Sequence, residues 1–70
     1  MAERESELAM VRRHVAEGER HVSLQRNILA RLRHLGGSTV LADQLLTEFE
    51  HTLRTHREHL GRIEASKVAN

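Results

Sequence analysis

Leu35-Gly36-Gly37-Ser38-Thr39 stands almost at the midpoint of the 70-residue chain and divides it into two charged segments of similar length. Gly36 and Gly37 can take the left-handed backbone that ends a helix, at no steric cost. Ser38 is read as the N-cap of a second helix, its hydroxyl accepting from a free amide of the first turn. Arg33 and His34 precede the glycines, where cations suit the negative end of a helix dipole. Asp43 follows, where an anion suits the positive end. Stop and start signals this close force the flanking helices to be antiparallel neighbours. The reading is therefore an all-α helical hairpin in a single domain spanning 1–70. Its first helix covers about 6–35, its turn 36–38 and its second helix about 39–66.

The flanks carry the matching pattern. Leu8, Val15, Val22 and Leu29 recur every seven residues, and Val11, Gly18, Gln25 and Leu32 recur three residues later. On the far side Leu46, Leu53 and Leu60 form one set, and Ala42, Phe49, His56 and Ile63 the other. Folding about Gly37 opposes Leu29 with Leu46, Val22 with Leu53, Val15 with Leu60, Leu32 with Ala42 and Val11 with Ile63. It also opposes Gly18 with His56 and Gln25 with Phe49. Gly18 costs about 1 kcal/mol of helix propensity relative to alanine. It is expected to make room for something large, with His56 the expected neighbour. Gly61 falls on the outer face without an evident role. Both chain ends, up to about Glu5 and from Val68 onward, are expected to fray.

Charges test this register independently. It brings together Arg12 with Glu64, Glu19 with Arg57, Arg26 with Glu50, and Arg33 with Asp43, all of opposite sign. Each exposed pair is worth only a few tenths of a kcal/mol. Their weight lies in specificity, because a slip of one heptad would bring Arg26 toward Arg57.

A second stripe departs from the seam. Met10, His14, His21, Leu24, Ile28 and Leu35 lie along the first helix, and Leu41 and Leu45 widen the stripe of the second. A single seam does not need them. A 70-residue chain without cysteine also lacks the disulfide and thiolate-zinc staples that small domains use. Leu24, Ile28, Leu35, Leu41 and Leu45 are therefore expected to be a dimer interface, joining two hairpins into a four-helix bundle.

The composition limits the functional classes. A net charge of +1 gives no bulk attraction to nucleic acid or membrane. No apolar run spans a membrane. Met1-Ala2-Glu3-Arg4-Glu5 lacks the apolar centre of a secretory signal, so a cytoplasmic setting is expected. Ser23, Ser38, Thr47, Thr52 and Thr55 show no nucleophile context, no cofactor motif is present, and an enzyme is not expected. Of the six histidines, His56 and His59 are one helical turn apart, and the register places His14 across from His59. These three are the candidate metal ligands, but no carboxylate or cysteine completes the set and no metal is expected. Nucleic-acid binding through Arg26, Arg31, Arg33 and His34 is not expected either, because Arg26 and Arg33 have acidic partners. If assembly buries His14, His21 and His59 neutral, acid should weaken it. If they sit hydrated beside Glu17 and Glu58, it should not.

The stretch from His14 to Val22, with Thr39-Val40-Leu41-Ala42 and His56-Arg57-Glu58-His59-Leu60, resembles a group of short uncharacterised proteobacterial proteins over roughly residues 8–64. The resemblance implies a bacterial cytoplasmic setting and no known activity. The architecture is similar to plasmid copy-number regulators of the Rop type, dimeric hairpins that bind paired RNA loops. That likeness is one of fold, and no RNA-contacting residue is carried across. The expected function is a non-enzymatic structural or protein-interaction module, acting as a homodimer toward an unknown protein partner. The alternative is an RNA-binding regulator of the Rop type.

Overall fold

The computed structural model describes residues 5–69, with side chains through Lys67. Two helices, α1 (Glu7–His34) and α2 (Val40–Ala69), pack along their lengths as an antiparallel hairpin. The expectation of fraying at Met1–Arg4 and Asn70 lies outside the described residues.

α1 starts at Ser6, whose extended backbone turns the chain into the helix while its hydroxyl accepts from the Ala9 N–H at 3.1 Å. It ends in a Schellman turn. Gly37 N–H donates to the Leu32 carbonyl at 3.0 Å, and Gly36 N–H to the Arg33 carbonyl at 3.2 Å. Gly36 has φ +74°, so a Cβ there would be strained. α2 begins one residue later than the sequence suggests. Asp43 N–H donates to the Thr39 carbonyl at 2.8 Å, which makes Thr39 rather than Ser38 the last residue before the helix. The other end of α2 reaches Ala69, past the expected stop near residue 66, because no glycine or proline follows Ile63 to break it.

The core is a single seam. Val11, Val22, Leu29, Ala42 and Leu53 are buried in it. Leu8, Val15, Leu32, Leu46, Phe49, Leu60 and Ile63 are only half-buried, because two helices cover a seam side chain from one direction. Gln25 is the buried polar member. It reaches past the position opposite Phe49 and donates its amide to the Ala42 carbonyl at 3.0 Å. A satisfied buried amide at a seam position fixes register, since sliding the helices would orphan it.

All four expected cross-helix ion pairs form. Arg12–Glu64 lies at 3.6 Å, Glu19–Arg57 at 3.2 Å, Arg26–Glu50 at 3.3 Å and Arg33–Asp43 at 3.7 Å. They line one side of the seam from end to end. Reversing one charge, as in Arg26→Glu, should cost about 0.5 kcal/mol, and adding Glu50→Arg should recover it. Additive losses in chemical denaturation would refute this pair.

Gly61 lies inside α2 with nothing within 4 Å of the position its Cβ would take. Gly61→Ala should therefore stabilise the protein by about 1 kcal/mol through helix propensity alone. A thermal melt no higher than the parent's would mean that this glycine has a contact of its own.

Candidate functional site: an uncovered apolar face

The seam divides the hairpin into two faces. The ion pairs occupy one. On the other, His14, His21, Ile28 and Leu35 follow one another at seven-residue steps along α1, and Leu45, Thr52 and His59 do the same along α2. Leu24 and Leu41 lie beside these rows. The face is therefore divided along its length, with aliphatic side chains toward the turn and imidazoles toward the open end.

The aliphatic half is uncovered. Leu24 is 54% exposed, Ile28 49%, Leu35 72%, Leu41 68% and Leu45 36%. Together they leave roughly 500 Å² of apolar surface open, the scale at which a patch marks an interaction site. Single exposed aliphatic side chains are ordinary, but four leucines and an isoleucine on one face of a 70-residue chain are not. Val40 is a sixth exposed apolar side chain, 64% exposed, at the start of α2. The sequence reading missed it because it lies on neither the seam nor the second stripe.

The histidine half is arranged differently from expectation. The ring of His14 meets His56, with centroids 4.9 Å apart and planes tilted by 45°. His59 lies instead with its Nε2 3.4 Å from the Glu7 carboxylate. His14, His56 and His59 thus do not converge. Among the described residues, no group of three or more His, Cys, Asp or Glu side chains is placed to hold a metal ion. His21 stacks at 5.6 Å on Phe49, the only aromatic carbocycle of the chain.

Gly18 explains part of this rearrangement. Its expected large neighbour is present, but it is Leu53. A Cβ on Gly18 would lie 3.1 Å from Leu53 Cδ1. Leu53 fills the space over the glycine, and His56, one turn further along α2, turns its ring onto His14. Opposing residues by number cannot show this, because interlocked seam side chains sit between two neighbours and favour one of them. Near the start of α1, Arg13 joins Glu5 at 2.8 Å and Glu17 at 3.0 Å. The hydrogen bond from Arg13 holds the Glu5 carboxyl below its ordinary range. This clasp is present above that range and is lost as acid protonates Glu5.

Fold and face together define a small two-helix hairpin with one face lined by ion pairs and the turn half of the other apolar and open. No protein family, curated protein or solved structure matches the chain. No helix among the described residues is long and apolar enough to cross a membrane.

Proposed function

We propose that the protein is a non-enzymatic interaction module that works as a homodimer, two hairpins joined through Leu24, Ile28, Leu35, Leu41 and Leu45 into a four-helix bundle. The observation that carries this is the exposure of those five side chains on one face of one hairpin. Pairing two such faces would remove on the order of 1,000 Å² from water, the lower bound for a specific interface. The thin seam supplies the motive, since among the described residues only five apolar side chains are buried. A second copy is the simplest cover for a face that carries no net charge preference, and twofold dimers are the commonest closed assemblies.

Dimerisation leaves the ion-pair faces outward, to meet a protein partner in the bacterial cytoplasmic setting that the sequence resemblance implies. The Rop-type alternative gains no separate observation: of Arg26, Arg31, Arg33 and His34, Arg26 and Arg33 each face an acid across the seam. Sedimentation equilibrium tests the dimer. The expected mass is twice 8.0 kDa at micromolar concentration, with a melting temperature that rises with protein concentration. A monomer at 100 µM with a concentration-independent melt, to order of magnitude, refutes it.

A further inference from the structure

We infer that the two copies dock with their turns at the same end of the bundle, the twofold axis running along the helices. This rests on the homodimer reading and specifies the geometry of its interface. Two families of twofold axis bring the open faces together. An axis along the helices places α1 of one copy over α2 of the other, with both turns at one end. An axis across the helices places α1 over α1 and α2 over α2, with the turns pointing in opposite directions.

The division of the open face discriminates between them. Its exposed leucines and isoleucine all lie in the turn half, while His14, Glu17, His21 and Thr52, with the half-buried Met10, occupy the other. With crossed axes and full overlap, Leu24, Ile28, Leu35, Leu41 and Leu45 of each copy would lie against the partner's imidazoles and carboxylates. That buries polar groups without pairing apolar surface. Crossed axes with only the turn halves overlapping keep apolar on apolar, but the flanking charges then oppose this arrangement.

Arg31 and Glu48 are exposed at the outer edges of the patch, Arg31 on α1 and Glu48 on α2. Among the described residues, neither has an ion partner within the hairpin. A staggered crossed pair sets Arg31 beside Arg31 and Glu48 beside Glu48. Turns together set Arg31 of each copy along the α2 of the other, on the side that carries Glu48. Only this alignment pairs apolar with apolar and opposite charge with opposite charge, which is how flanking charges choose orientation in helical assemblies.

The chain has no cysteine, so single spin labels report the alignment cleanly. Ser38→Cys labels the turn and Ser66→Cys the open end, both exposed positions. Pulsed dipolar spectroscopy on each labelled full-length dimer should give a short label-to-label distance at both sites, below about 30 Å. At a rise of 1.5 Å per residue, staggered copies would separate the Ser66 labels by roughly 60 Å, and fully overlapped crossed copies by about 40 Å at both sites. A long Ser66 distance in a species that sediments as a dimer overturns this alignment and leaves the homodimer standing. Absence of any dipolar coupling in a species that sediments as a monomer overturns both. As a second measurement, Arg31→Glu and Glu48→Arg should each weaken the dimer about threefold, and the double variant should regain parental affinity. Failure of the double variant to recover counts against the alignment.

Discussion

Leu24→Glu together with Leu41→Glu should break the proposed homodimer into monomers across the micromolar range. Each substitution removes a half-exposed leucine whose covering is worth about 1–1.5 kcal/mol, and each occurs twice in the pair. The loss, about 4–6 kcal/mol per dimer, corresponds to a thousandfold or greater rise in Kd. Carboxylates forced into the interface add a desolvation cost in the same direction. The hairpin seam does not contain either residue, and both side chains reach solvent in the single hairpin. A monomeric hairpin would tolerate the same changes and even gain solubility, so the direction of the effect is diagnostic. The control carries the same charge on the outer surface, Ala30→Glu with Gln44→Glu, both exposed positions. Sedimentation and melting should leave that control as the parent. Equal mass and equal melting for the parent and the Leu24/Leu41 variant would remove the interface proposal.

Leu53→Ala should be the most damaging single change within the hairpin, at about 2–5 kcal/mol. Leu53 is 6% exposed and is the side chain that covers Gly18. For a domain of this size, each kcal/mol lowers the melting temperature by about 4–8 °C, so a fall of more than about 10 °C is expected. The contact also sets the sign of changes at Gly18. In the parent, Gly18→Leu drives a branched side chain into Leu53 and its backbone, and should destabilise by about 1–3 kcal/mol. With Leu53 truncated, the space is free and Gly18→Ala should instead stabilise by about 1 kcal/mol through helix propensity. The same Gly18→Ala change in the parent meets Leu53 Cδ1 at 3.1 Å and should gain less. A double-mutant cycle by denaturant melts measures the coupling. A Gly18→Leu variant as stable as the parent would show that Leu53 does not fill the space over the glycine.

Turn, helices and pairing were legible from Gly36-Gly37, the heptads and the four ion pairs, because these are signals of local backbone preference and regular period. The turn needs a left-handed residue, and only glycine takes that φ freely. The charge pairs sit at fixed steps along two rigid rods, so one correct pair predicts the rest. The five residues of the open face were legible for a related reason, since they are apolar at positions a two-helix seam does not use.

What the tertiary structure alone decided is the choice of neighbour at each level of the seam. Gly18 has Leu53 as its nearest neighbour, His14 takes His56 and not His59, Gln25 takes the Ala42 carbonyl, and His59 takes Glu7. A heptad assigns a residue to a side of the helix, but each side chain there stands between two candidates on the partner. Volume, rotamer and hydrogen bonding choose between them, and those depend on all the neighbours at once. The chain therefore specifies its two rods, their turn and their register through periodic and local chemistry, while the non-periodic contacts between imidazole, amide and glycine are settled by packing.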